Sequence, residues 1–113
     1  MNRNILRSVI AAFIFVSNLA IAETGKVTII SPTDGAMVDS YYKTEVKYEA
    51  IPGTDGDHLH LNVDGKRVDV IHQLKGTAMV DALPPGKHRI CLAVNTNGHV
   101  PTGVEGCVNV TSK

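Results

Sequence analysis

Short runs of apolar and β-branched residues alternate with turn-forming residues along most of the sequence. Pro, Gly, Asp and Asn interrupt the chain at 31–35, 51–56, 64–65, 75–76, 84–86 and 97–98. Runs bounded in this way predict strands, here over 26–31, 43–50, 57–63, 66–72, 77–83, 87–95 and 104–111. Seven short strands with a turn roughly every ten residues predict an all-β fold, a two-sheet sandwich.

Alternation assigns two faces to the strand predicted over residues 57–63. Leu59 and Leu61 point to one face and His58 and His60 to the other, because successive side chains of a strand alternate. The leucine face predicts the core, and the histidine face is expected to look outward to solvent. The Asp-Gly pair that follows this strand predicts a two-residue hairpin turn.

The first part of the chain has the pattern of a secretory signal peptide. Two arginines precede an apolar run at 9–16, and the small residues Ala20 and Ala22 come next. We therefore predict a signal peptide over 1–22 and one mature domain over 23–113. The apolar run is too short for a spanning helix, so no membrane span is expected in the mature protein. The predicted localisation is periplasmic or secreted.

Charge excludes one class of partner. The chain has 11 basic and 11 acidic side chains, so its formal net charge is zero. Both arginines of the predicted signal would leave with it, and the mature domain would carry a charge of −2, from nine basic and eleven acidic side chains. Phosphate binding requires clustered positive charge, so we expect no nucleic-acid partner.

The two cysteines, Cys91 and Cys107, are predicted to form a disulfide bond. An exported domain of this size commonly uses such a bridge, because its apolar core is small. If the last two strands form a hairpin that brings these residues opposite each other, its centre falls at residue 99, within the turn-like stretch 97–101. Directly opposed residues of antiparallel strands are close enough to bridge.

Three segments resemble bacterial immunoglobulin-like domains of secreted and surface proteins. They are the opening Val27–Ala36 (VTIISPTDGA), the hairpin Leu61–Val68 (LNVDGKRV) and the corner Leu83–Ile90 (LPPGKHRI). The resemblance covers roughly residues 27–110 and implies an immunoglobulin-like sandwich, but it implies no particular activity, since this fold carries many functions. A His-rich strand and a cysteine pair depart from the usual pattern.

His58 and His60 are the strongest candidates for chemistry. Two histidines at i and i+2 of a strand point the same way, close enough for both imidazoles to reach one metal ion. In an immunoglobulin-like sandwich the loop before the third strand and the last hairpin loop share one end, which nominates His99 as the third ligand. Asp57 is expected to act as a ligand or to orient an imidazole. Zinc and copper both suit these ligands.

Other interpretations remain open at this point. If the cysteines are reduced, they and the two strand histidines would form a Cys₂His₂ surface. His72 is expected to be exposed, and His88 is expected to have a structural role at one end of the core. Met37 and Met79 are interpreted as packing residues rather than copper ligands.

The sequence favours a binding protein over an enzyme. Gly-x-Ser-x-Gly and His-Glu-x-x-His motifs are absent, and no general base other than Asp57 is evident. The leading hypothesis is therefore an exported module that binds zinc or copper through His58, His60 and His99 to buffer or deliver the ion. The alternative is a non-enzymatic structural or interaction module without metal, whose partner would be another periplasmic protein.

Overall fold

Alternation between buried and exposed side chains builds a sandwich of two β-sheets. The computed structural model describes residues 24–113, and these residues form strands without a helix. The strands are β1 (Lys26–Ser31), β2 (Ala36–Val38), β3 (Thr44–Ile51), β4 (His58–Val63), β5 (Lys66–Ile71), β6 (Lys75–Val80), β7 (Gly86–Asn95) and β8 (Pro101–Ser112). The predicted signal peptide, residues 1–22, lies outside the described residues.

One sheet has the strand order β1-β3-β6 and the other has the order β2-β8-β7-β4-β5. All neighbouring strands are antiparallel except β2 and β8, which are parallel. The predicted all-β sandwich is confirmed. Over residues 24–113 no helix has the length and apolar character needed to cross a bilayer.

Some details of the strand prediction were wrong. The three-residue strand β2 was missed, because a segment so short has no readable alternation. The Lys75-Gly76 pair was interpreted as a turn, but both residues lie in β6, where Gly76 pairs with Tyr48 of β3. Strand β6 ends at Val80, whereas the predicted strand continued to residue 83.

The core lies between the sheets, and strands β4 and β7 supply five of its completely buried side chains. Leu59 and Leu61 of β4 are completely buried, as are Ile90, Leu92 and Val94 of β7. The three-stranded sheet contributes the following residues to the same cluster: Val27, Val46, Tyr48, Ala78 and Val80. The predicted core face of the His-rich strand is therefore confirmed.

The last hairpin is closed by the predicted disulfide. Cys91 of β7 pairs with Cys107 of β8, their Cα atoms are 4.1 Å apart, and their sulfur atoms are bonded. The register is symmetric about residue 99 from the Gly86 pair to the Ala93 pair, and a shift then sets Asn95 opposite Pro101. The bridge thus fixes the register of the two strands that lead into the loop around His99.

Replacing both cysteines, as in Cys91→Ala/Cys107→Ala, should lower the free energy of unfolding by about 3 kcal/mol, because a loop of this size in the unfolded chain is no longer closed. Urea unfolding of the variant and of the oxidised parent measures the difference. Equal urea midpoints would show that the bridge contributes nothing to stability.

His88 joins two turns at the end of the sheet that lies away from His58. Its Nδ1 lies 2.6 Å from Oδ2 of Asp64, and its Nε2 lies 2.6 Å from the carbonyl oxygen of Pro84. Both partners are acceptors, so the ring is doubly protonated when both contacts are hydrogen bonds. The hydrogen bond to Asp64 raises the pKa of His88, and the same contact lowers the pKa of Asp64. The expected structural role of His88 is confirmed.

This pair should make stability depend on pH. The raised pKa of His88 means that its contribution is complete below the usual value of 6.5 and is lost as pH rises through the higher value of the folded state. The lowered pKa of Asp64 means that its contribution is complete above the usual 3.8 and is lost as pH falls through the lower folded value. The pair should therefore stabilise the folded protein most between the two usual pKa values, 3.8 and 6.5.

The expected size is about 1 kcal/mol, since the Asp64 side chain is half exposed and water screens the pair. Urea unfolding of the parent and of His88→Gln at pH 5.5 and at pH 9 measures it. The difference between the two proteins should be larger at pH 5.5, and a larger difference at pH 9 would contradict the assignment.

Candidate functional site

Three histidines converge at one end of the five-stranded sheet. Nε2 of His58, Nε2 of His60 and Nδ1 of His99 are each 3.1 Å from the other two. We call these residues the histidine triad. The sequence nominated this set, and the structure brings the three ring nitrogens together into an almost equilateral triangle.

Strand pairing positions the first two members. His58 lies opposite Asn95 of β7, and His60 lies opposite Ala93. Leu59 between them is completely buried in the core, so both imidazoles must project from the other face of the sheet. The register of β4 against β7 therefore sets where both rings begin.

A tight loop delivers the chain to His58. Gly56 lies against the backbone of Pro52, and a side chain at this position would collide with it. The amide of Gly56 donates to the carbonyl of Gly53, and the amide of Asp57 donates to the carbonyl of Asn95 at 2.9 Å. The second bond ties the last loop residue to the end of β7, beside the triad.

His99 reaches the site through an unusual backbone conformation. The loop from Thr96 to Val100 closes with a bond from the His99 amide to the Thr96 carbonyl, at 2.9 Å. His99 then has φ 62°, in the left-handed region that favours glycine, whereas its neighbour Gly98 does not. The loop thus places a histidine where a glycine would be the easier choice, and strain of this kind concentrates at functional sites.

Asp57 orients the His58 ring. Its Oδ2 lies 2.9 Å from Nδ1 of His58, which donates its proton to the carboxylate. A neutral imidazole carries one N–H, so this bond leaves Nε2 of His58 with a free lone pair directed at the triad. Of the two roles expected for Asp57, the structure shows the orienting one.

The nitrogen triangle cannot satisfy itself with hydrogen bonds. Each of the three atoms is either a donor or an acceptor, so at most two of the three 3.1 Å contacts are hydrogen bonds. The remaining contact sets two lone pairs or two N–H groups against each other. A cation bound by all three nitrogens would remove this conflict, because each nitrogen would direct a lone pair at it.

The prediction that the strand pair faces solvent was wrong. His58 is 1% exposed and His60 is 9% exposed; the His99 ring lies against both of them, and the His72 ring also lies against His58. Burial is the main cause that lowers the pKa of His60, followed by the charges of His58, Arg67 and His99. A lowered pKa keeps the His60 ring neutral, which is the form that binds metal.

A buried polar atom lies beside the triad. Asn95, opposite His58, is 1% exposed, and its Nδ2 donates to the Ala93 carbonyl at 3.1 Å. Its Oδ1 is buried without a hydrogen-bond partner among the described residues. Such an atom costs about 1–3 kcal/mol and in native proteins calls for an explanation. The sheet end around the triad therefore combines strain, converging nitrogens and an unpaired oxygen.

His72 lies beside the triad. The sequence predicted that His72 is exposed but did not predict that it lies near His58. Its ring centroid is 5.3 Å from that of His58. A register shift in the β4–β5 hairpin pairs Leu59 with Ile71, which carries the next residue to the side of His58. Counting back from the Asp-Gly turn without that shift puts Ile71 opposite His58 instead, so the bulge hid the contact.

The Cys₂His₂ arrangement does not form. Both cysteines are disulfide-bonded, and Cys91 lies opposite Asn62, one row further along the sheet than His60. Glu105 completes a group with the two cysteines, but bonded sulfur atoms are not available as thiolate ligands.

Comparison with known proteins supports the fold assignment. No protein-family model matches the chain, and no curated protein matches it. The structure is similar to fibronectin(III)-like modules of Clostridium thermocellum CbhA, with a TM-score of 0.63 and 13% identity, over 77% of this chain and 95% of that one.

It is also similar to a lytic polysaccharide monooxygenase of Jonesia denitrificans, with a TM-score of 0.51 and 18% identity, over 73% of this chain and 58% of that one. Similarities at these identities show the fold alone. The protein is an immunoglobulin-like β-sandwich, as the sequence resemblance implied.

The left-handed backbone at His99 can be tested by substitution. His99→Gly should leave the free energy of unfolding unchanged or raise it, since glycine adopts this conformation freely. His99→Val should lower it by about 1–2 kcal/mol, because a β-branched side chain is disfavoured there. Urea unfolding compares the two variants, and indistinguishable midpoints would contradict the observed conformation.

Proposed function

We propose that this protein is an exported module that binds one zinc or copper(II) ion through the histidine triad. The observation that supports it best is the triangle of ring nitrogens with 3.1 Å sides. An ion 2.0–2.1 Å from each nitrogen would stand about 1 Å outside their plane, with N–metal–N angles of about 100°. Those angles suit three ligands on one side of a tetrahedral or octahedral ion.

The donor set fits a borderline transition metal. His58, His60 and His99 would supply three neutral imidazole nitrogens, which suit zinc and copper better than calcium or magnesium. The Asp57 carboxylate on the far side of His58 is a frequent companion of metal-binding histidines and raises the basicity of the ring. When bound, the ion would supply a positive charge that pairs all three nitrogens at once.

We propose binding and transfer of the ion rather than catalysis. Among residues 24–113, Asp57 is the carboxylate that groups with a triad histidine, and its Oδ2 already accepts the His58 proton. A hydrolytic metal site needs a separate base within reach of the substrate. The triad is better suited to buffering the ion or to passing it on.

Export is proposed from two independent features. The first 22 residues have the pattern of a signal peptide. The mature fold carries a disulfide, which persists in oxidising compartments. Together they support a periplasmic or secreted location.

The alternative is a structural or interaction module that binds no metal. The similarity to fibronectin(III)-like modules, which extends over 95% of that chain, favours this second candidate. Its partner would be another protein of the same compartment. Metal titration separates the two functions.

The test is a titration of the purified protein with Zn(II) and with Cu(II) by calorimetry. We expect binding with a micromolar or smaller Kd, and a weakening of at least about a hundredfold in His99→Asn, which removes one of three ligands. Asparagine tolerates a left-handed backbone, so the loop of this variant should stay folded. The double variant His58→Gln/His60→Gln should bind neither ion tightly.

His88→Gln is the matched control, because it removes a histidine from the other end of the same sheet. Its metal affinity should equal that of the parent. If the parent binds neither ion, or if His99→Asn binds as tightly as His88→Gln, the metal function is wrong and the interaction module takes its place.

A further inference from the structure

We propose a second metal position, formed by Asp57 and His72 on the solvent side of His58. The proposed function, on which this inference builds, assigns one ion to the triad. The geometry around His58 points to a capacity of two ions per chain, because a different set of ligands meets the outer side of its ring.

Asp57 and His72 are close enough to share an ion, while both nitrogens of His58 are already used, one by Asp57 and one by the triad. One ligand atom each from Asp57, His58 and His72 lies within 4.8 Å of the other two. The rings of His58 and His72 are 5.3 Å apart and tilted by 42°. A carboxylate has two oxygens, so Asp57 can accept the His58 proton with one and bind an ion with the other.

His72 is held in this place by the sandwich, although its side chain is exposed. The residue after it, Gln73, accepts a hydrogen bond from the hydroxyl of the buried Tyr48, at 2.8 Å. The next carbonyl, that of Leu74, accepts from the Ala50 amide at 2.7 Å. The connection between β5 and β6 is therefore fastened to the other sheet, and this fixes where His72 starts.

The second position should be the weaker one. One ion bridges two ligand atoms that are at most about 4 Å apart, so atoms up to 4.8 Å apart must first approach each other. Asp57 and His72 are exposed and lose side-chain freedom on binding, whereas the triad nitrogens already stand at 3.1 Å. We expect a Kd at least about tenfold larger than that of the triad.

Two of the three residues at this position, Asp57 and His72, are exposed, whereas His99 is the exposed member of the triad and His58 and His60 are buried. Ions held by exposed ligands exchange readily with water and with other chelators. Only the His58 ring separates the Asp57–His72 position from the triad. The Asp57–His72 position can therefore hold one ion while the triad holds another. Among the described residues the third group of possible metal ligands is Cys91, Glu105 and Cys107, and its two cysteines are disulfide-bonded.

Equilibrium dialysis against Zn(II) alone, followed by elemental analysis, measures the capacity. The parent should hold two zinc ions per chain at saturation, and His72→Gln should hold one with an unchanged Kd. The neighbouring exposed residue provides the matched control, Gln73→Ala, which keeps the backbone carbonyl and should hold two ions.

NMR of the imidazole carbon-bound protons reports each ion separately. The first equivalent of Zn(II) should shift the signals of His60 and His99, and the second should shift those of His72. A parent that stops at one ion overturns the second position, as does a His72→Gln protein that still holds two.

The two proposals can fail independently. If the parent binds one ion tightly and His72→Gln changes nothing, the second position is wrong and the triad stands. If His99→Asn leaves the first ion in place while His72→Gln removes an ion, the triad is wrong and the Asp57–His72 position stands. A parent that binds no zinc overturns the second position, and a parent that binds neither zinc nor copper(II) overturns the triad as well.

Discussion

The register between β4 and β7 is the constraint on which the rest of the structure depends. Leu59 and Leu61 are completely buried, and they pair with Val94 and Leu92, which are buried as well. A slip of one residue would carry the leucines to the outer face and the histidines into the core, since side chains alternate along a strand. The hydrophobic core therefore places the imidazoles, and no interaction between the imidazoles is needed to do so.

Three departures from easy local structure lie at the His58 end of this register. His99 occupies a glycine-like conformation, Asn95 has an unpaired oxygen among the described residues, and the three ring nitrogens cannot all hydrogen-bond to each other. Each departure has a cost that the core must offset. At the other end of the sheet, His88 has hydrogen-bond acceptors for both of its nitrogens, so proximity of a histidine to a turn does not by itself create such a conflict.

Much of the fold could be predicted from the sequence because its determinants are local. Alternation revealed the core face of β4, the Asp-Gly pair revealed its hairpin, and the turn around residue 99 revealed the disulfide register. The strand β2 could not be predicted, since its pairing with β8 joins distant parts of the chain in parallel. The coming together of His58, His60 and His99 followed from topology, whereas the burial of His58 and His60 did not.

Burial depends on how a loop folds over a face, and one strand does not encode that. His72 was missed for a related reason. Its approach to His58 depends on a bulge near Leu61, and a bulge changes the partner of every residue that comes before it in β4. Alternation within a single strand cannot reveal such a shift.

The triad combines two members on a strand with one on a loop. His58 and His60 stand on a strand paired on both sides, whereas His99 stands on a short exposed loop. Any ion in the triad would thus be held by two ligands from the sheet and one from the loop. A competing donor from solvent would therefore meet such an ion on the His99 side, since His58 and His60 are buried.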